Sequence, residues 1–233
     1  MPRPADTGEV IWIFVDDGKK LSSLASNLRA VLQKKCWRFL MNGMWLVRHG
    51  ALPPNPERRI VGNRDIPLSP AGREQIRILA RDFMPILAGR LAAVVSSDLG
   101  RCRETASILL TGNEWAASPP PIHLEPDLRE LNLGQWQGLT KAEIEQRFPG
   151  QYDARGRNFP HYCPEGGESF AQLQSRALDA VSRWRRHYPR GTLLVVAHAG
   201  VIRSLLAYYM ALPLNDVLRI PQEYACQTFV PEW

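Results

Sequence analysis

Three apolar runs, Met44-Trp-Leu-Val47, Leu91-Ala-Ala-Val-Val95 and Thr192-Leu-Leu-Val-Val196, restrict this chain more than any other feature. Each has the length of a strand, and each is separated from the next by segments with helical spacing. The last run is apolar at successive rather than alternate positions, which marks a strand covered on both faces. Ser69-Pro70-Ala-Gly-Arg-Glu74 opens a helix with a capping serine and a first-turn proline, and this helix should reach about Phe83, before Pro85. Residues 98–110 and 201–210 read as further helices. Residues 168–187 place Phe170, Leu173, Ala177, Leu178, Val181 and Trp184 on one helical face. Strands alternating with helices predict a three-layer α/β/α fold, a mostly parallel sheet with helices on both faces and a ligand crevice at the carboxyl ends of the strands.

Two segments stand outside that rhythm. Val10 to Val15 is a β-branched and aromatic run followed by Asp16-Asp17-Gly18. Beyond it, Leu21, Leu24, Leu28, Val31, Leu32, Cys36 and Phe39 recur at helical steps, and Asn42-Gly43 ends the pattern. Residues 1–43 therefore read as a strand-helix extension of unknown role ahead of a main domain at 44–233. The helix either packs on that domain, the favoured reading, or lies on a partner or membrane surface. Residues 148–167 hold three prolines and four glycines and read as an irregular lid or binding loop.

With 233 residues and 45% apolar content the chain can bury a sizeable core. Its net charge of +6 comes mostly from arginine, which suits partners carrying phosphate or carboxylate. The basic residues are interspersed with acidic ones, so a small metabolite is a better fit than nucleic acid. No stretch approaches membrane-spanning length. The four cysteines, Cys36, Cys102, Cys163 and Cys226, are scattered, without the spacing of a zinc site or a disulfide framework. A cytoplasmic protein needing no metal and no cofactor is expected, either monomer or homodimer.

The strand ends carry the chemistry. Val47 is followed by Arg48-His49-Gly50, Val95 by Ser96-Ser97-Asp98-Leu99-Gly100-Arg101, and Val196 by Ala197-His198-Ala199-Gly200. Taken singly, His198 could be a satisfied core histidine and Arg101 part of a helix-face ion pair. Placed together behind three apolar strands, two histidines and two arginines would meet in one crevice. There the guanidiniums and backbone N–H groups could neutralise a phosphoryl group while an imidazole attacks phosphorus.

These residues resemble the histidine phosphatase superfamily, whose members include cofactor-dependent phosphoglycerate mutases, the bisphosphatase acting on fructose 2,6-bisphosphate, and alpha-ribazole phosphatases. The resemblance runs from Met44 to about Val230 in family order. It rests on Leu46-Val-Arg-His-Gly50, Asn55, Arg59-Ile-Val-Gly62, Asp65-Ile-Pro-Leu68, the segment Ser96 to Ala106, Leu128-Arg-Glu130 through Gly138, and Ala197-His198 through Arg203. It implies a phosphoglycerate mutase-like fold. His49 would be the nucleophile, Glu130 the proton donor and acceptor, and Arg48, Asn55, Arg101, His198 and the backbone at Ala199 the phosphoryl contacts. Within the lid segment itself, Arg155, Arg157, His161 and Tyr162 are candidate contacts to the substrate.

The Glu130 motif and Pro164-Glu-Gly-Gly-Glu-Ser169 look most like the alpha-ribazole and general phosphatase branch, so hydrolysis of a small phosphomonoester is expected. A mutase, or a slow phosphate-binding scaffold, are the alternatives. Ala51-Leu52 depart from the pattern, where the family usually has an acidic residue followed by Thr or Ser, and Pro54 stands where an aromatic is frequent.

Overall fold

The structure, a computed structural model, describes residues 13–15, 43–111 and 118–231. Six strands form one sheet: β1 (Ile13–Val15), β2 (Gly43–Arg48), β3 (Leu91–Ser96), β4 (Ile122–Leu124), β5 (Thr192–Ala197) and β6 (Gln227–Pro231), in the spatial order β1-β6-β2-β5-β3-β4. β2, β5, β3 and β4 are mutually parallel, and β6 runs antiparallel to both β2 and β1. The amphipathic segment 21–39 and residues 10–12 of the expected first strand lie outside the described residues.

Helices α1 (Pro70–Leu87), α2 (Gly100–Leu110), α5 (Phe170–His187) and α6 (Ala199–Tyr209) follow the predicted rhythm, and two short ones, α3 (Lys141–Arg147) and α4 (Gln151–Arg157), were not foreseen. Alternation along the strands sorts the core into two layers. Trp45, Val47, Val94, Leu194 and Val196 meet Ile76, Phe83, Cys102 and Ala106 of α1 and α2. On the other face Leu46, Val95 and Val195 meet Leu173, Ala177, Val201 and Leu205 of α5 and α6. Each large side chain so buried stabilises the fold by about 1.5–3 kcal/mol.

Two expectations are corrected in detail. Pro85 does not end α1, which continues to Leu87. Met84 and Leu87 are 0% and 4% exposed, and that burial outweighs the single backbone hydrogen bond a proline removes near a helix end. The segment 148–167 is not irregular throughout, because α4 occupies Gln151–Arg157. No residue of α4 is fully buried, so no apolar stripe announced it. The helix before it, α3, is started instead by Thr140, whose hydroxyl accepts from the Glu143 N–H in a capping box.

Candidate active site

Strand register brings the two histidines level. Arg48 pairs with Ala197 across β2 and β5, and Ser96 pairs with Val196 across β3 and β5, so His49, His198 and Ser97 each stand one residue beyond the sheet, side by side. The His49 N–H donates to the Ala197 carbonyl at 3.1 Å, and the imidazole rings lie 5.1 Å apart. Both are almost wholly buried, at 3% and 0% exposure.

Hydrogen-bond partners decide the tautomers. His49 Nδ1 faces the Gly50 carbonyl at 2.8 Å, and a carbonyl only accepts, so Nδ1 carries the proton and Nε2 keeps a lone pair. Burial, with Arg101 and Arg48 nearby, pushes the His49 pKa down to about 3. A neutral imidazole with its Nε2 lone pair free is therefore the resting state at ordinary pH. His198 Nδ1 accepts from Arg101 Nε at 3.2 Å, which leaves its Nε2 as the donor to Ser97 Oγ at 2.9 Å. Burial, helped by His49 and the arginines, also drives the His198 pKa well below the ordinary histidine value.

Arg101 is 1% exposed and held at three nitrogens: besides His198, Nη1 donates to the Arg64 carbonyl at 2.6 Å and Nη2 to the Gly62 carbonyl at 3.1 Å. Arg48 donates through Nη1 to the Gln222 carbonyl, and its guanidinium lies 3.9 Å from the centre of the Tyr224 ring. Its Nε is buried and makes no hydrogen bond among the described residues. Ala199 opens α6, so the first-turn N–H groups of that helix join the two arginines in favouring an anion.

Glu130 is held by backbone donors, Leu131 N–H to Oε1 at 2.9 Å and Gly200 N–H to Oε2 at 3.2 Å. A Cβ at Gly200 would collide with the Glu130 carboxylate, so glycine is what lets the carboxylate approach the start of α6. Arg176 of α5 ties the Glu130 loop down. It donates to the carbonyls of Asp127 and Glu130 and pairs with Glu168 at 2.6 Å, and the same Glu168 accepts the Asn132 N–H at 2.9 Å.

The structure thus brings together Arg48, His49, Arg101, Glu130, His198 and Ala199. The Asn55 side chain is exposed, and bonds the backbone N–H and carbonyl of Arg59 at 3.0 and 2.7 Å. Among the lid residues, Tyr162 stacks on Trp136 at 5.5 Å and Arg155 lies over Phe159 at 4.6 Å, both half-buried, while Arg157 and His161 are exposed. Sequence reading missed Ser97, Arg176, Gln222 and Tyr224 as members of this region. The last two precede β6, whose antiparallel course delivers them to the carboxyl end of β2. At Ala51 the backbone alone is used: its N–H donates to Gln75 and its carbonyl accepts from Ser69.

Residues 44–231 match the histidine phosphatase superfamily, branch 1. The chain belongs to that superfamily. It is 34% identical to a glucosyl-3-phosphoglycerate phosphatase of Mycolicibacterium vanbaalenii over 73% of this chain and 75% of that one. It is 26% identical to the adenosylcobalamin/alpha-ribazole phosphatase of Escherichia coli strain K12, over 78% and 86%. Among solved structures, Bacillus stearothermophilus YhfR superposes with a TM-score of 0.66 at 34% identity, covering 78% of this chain and 86% of that one. The alpha-ribazole phosphatase of Shigella flexneri gives 0.69 at 25% identity, covering 81% and 89%. As a histidine phosphatase, the chain has phosphomonoester hydrolysis as its reaction class. Among the described residues, no helix is long and apolar enough to cross a membrane.

Proposed function

We propose that this phosphatase hydrolyses a small phosphorylated metabolite through a phosphohistidine at His49. The observation that carries the reading is the buried His49 imidazole, its Nδ1–H held by the Gly50 carbonyl and its pKa lowered to about 3. The phosphoryl group sits against Arg48, Arg101 and the start of α6. His49 Nε2 attacks phosphorus, the N–P bond forms as the ester P–O bond breaks, and Glu130 passes a proton to the leaving oxygen. Water then attacks the phosphohistidine, Glu130 takes a proton from it, and inorganic phosphate leaves with His49 neutral again. His198 holds Arg101 through Nδ1 while its Nε2–H is anchored on Ser97 Oγ, which fixes the arginine beside the phosphoryl group.

Alpha-ribazole phosphate and phosphoglycerate derivatives head the candidate substrates, because the relatives named for them cover most of this chain. Arg155 and Tyr162 are the lid residues best supported as substrate contacts, since both are half-buried, Tyr162 against Trp136 and Arg155 over Phe159. Asn55 is proposed to act through the shape of the 55–59 loop. The catalytic domain is read as 44–233, with 1–43 as an extension whose Ile13–Val15 adds to the same sheet, and the protein as cytoplasmic.

The test is p-nitrophenyl phosphate turnover by the wild type beside His49→Ala, followed by a phosphomonoester screen scored by kcat/KM. Loss of at least about a thousandfold in His49→Ala is expected, as for removal of a nucleophile. Equal turnover by the two proteins would overturn the reading, and so would conversion of a phosphoglycerate to its isomer without phosphate release.

A further inference from the structure

The segment before β6 wraps the nucleophile strand in a way that the proposed reaction leaves unused. The Arg48 N–H donates to the Cys226 carbonyl at 3.1 Å, and the Ala225 N–H donates to the His49 carbonyl at 3.2 Å. Gln75 of α1 bridges the two chains from the side, donating to the Tyr224 carbonyl at 3.0 Å and accepting from the Ala51 N–H at 3.1 Å. Ala225 itself sits at φ 59, a left-handed conformation that a side-chain-bearing residue adopts only where its surroundings impose it.

The result of this strapping is the placement of one aromatic ring. The Arg48 guanidinium lies 3.9 Å from the centre of the Tyr224 ring, and the same ring stands 5.6 Å from that of His49. Tyr224 is half-buried. Arg48 has a long, rotamer-rich side chain whose ordering costs conformational entropy before it can grip an anion. Here Nη1 is held by the Gln222 carbonyl and the guanidinium is covered by the ring, while the buried Nε has no partner among the described residues. A guanidinium fixed in this way offers its remaining donors to a phosphoryl group without first having to be ordered.

We propose that Tyr224 is a positioning residue for phosphoryl recognition, its aromatic ring holding the Arg48 guanidinium in the orientation that binds the phosphoryl oxygens beside His49. The proposal rests on the phosphoryl site assigned above and adds a residue to it. It commits to the ring rather than the hydroxyl, since stacking on a guanidinium needs only a π face. It also gives the strained turn a purpose, because the αL residue at 225 sets the direction in which Tyr224 leaves the backbone.

The experiment measures inorganic phosphate affinity by calorimetry on the full chain, together with kcat and KM for p-nitrophenyl phosphate, in Tyr224→Leu, Tyr224→Phe, Arg48→Gln and the double variant Tyr224→Leu/Arg48→Gln. Tyr224→Leu should weaken phosphate about tenfold, the range of a partly desolvated cation–π contact, and Tyr224→Phe should stay within about threefold of the wild type. In the Arg48→Gln background the leucine substitution should have no further effect, because its role runs through Arg48. A Tyr224→Leu protein that binds phosphate as tightly as the wild type overturns the proposal. So does a Tyr224→Phe protein as weak as Tyr224→Leu, or a leucine effect undiminished in the Arg48→Gln background. Normal His49-dependent turnover with an unaffected Tyr224→Leu would remove Tyr224 and leave the phosphatase reading standing. Absent turnover with phosphate binding that still depends on Tyr224 would do the reverse, and a protein that neither hydrolyses nor binds phosphate overturns both.

Discussion

Burying two neutral imidazoles against the buried guanidinium of Arg101 and the half-buried one of Arg48 is the energetic oddity of this site. It makes sense only for a site whose anion arrives with the substrate. The cost is visible in the pH dependence it predicts. His49 has an ordinary pKa of 6.5 when unfolded and about 3 when folded. Above about 6.5 neither state binds the proton and stability does not depend on pH through this residue. As pH falls from about 6.5 toward 3 the unfolded chain takes up a proton that the folded one refuses, so stability declines, and His198 shifts in the same direction. Urea midpoints at pH 7 and pH 5 should therefore differ more for the wild type than for His49→Gln; equal differences would contradict the buried neutral imidazole. A second prediction concerns Ala225, at φ 59. Ala225→Gly relieves a left-handed strain of about 1–2 kcal/mol but loosens the unfolded chain, so a net gain of up to about 1 kcal/mol in urea unfolding is expected.

At the level of elements, the chemistry depends on two helices seated against loops. Helix α1 approaches the loop after β2 so closely that a Cβ at Gly72 would collide with the Ala51 carbonyl and lie 2.7 Å from its nitrogen. Gly72→Ala should displace residues 50–52 and weaken phosphate binding by at least about tenfold; unchanged affinity would show that the contact is dispensable. Helix α5 acts through Arg176, which bonds the carbonyls on either side of the Glu130 turn and is neutralised by Glu168. Glu168→Gln leaves a largely buried guanidinium without its counter-charge and should cost about 2–3 kcal/mol of stability. Because the loosened loop carries Glu130, kcat should fall more than KM rises, which steady-state kinetics beside urea melts would check.

For the whole molecule, charge and topology act together. The chain carries a net charge of +6, and two arginines, Arg48 and Arg101, stand in the crevice, so a dianionic phosphomonoester is drawn to it through solvent. Raising NaCl from about 0.02 to 0.3 M shortens the screening length severalfold. It should raise KM for such a substrate severalfold while changing kcat little. A KM indifferent to salt would mean that the field of the protein contributes nothing to capture. The crevice owes its position to the parallel strands β2, β5 and β3 all ending at one edge.

What the sequence determined by itself was whatever is local in the chain. Apolar runs and helical spacing announced the central strands and the long helices, because periodicity is set by how each element buries its own face. The residues at or soon after the ends of those strands, Arg48, His49, Arg101 and His198, were legible as a site because parallel strand ends must share an edge. Short elements without a buried stripe, such as α4 and β4, left no such periodicity. Tertiary structure alone decided which nitrogen of His49 is free, since that depends on the Gly50 carbonyl turning back toward the ring. It alone tied the Asn55 side chain to the backbone of Arg59, and recruited Arg176 and Tyr224 from segments far along the chain. Those contacts depend on the crossing of α5 and on the antiparallel course of β6. Register and crossing geometry are properties of packed elements, which no single stretch of sequence carries.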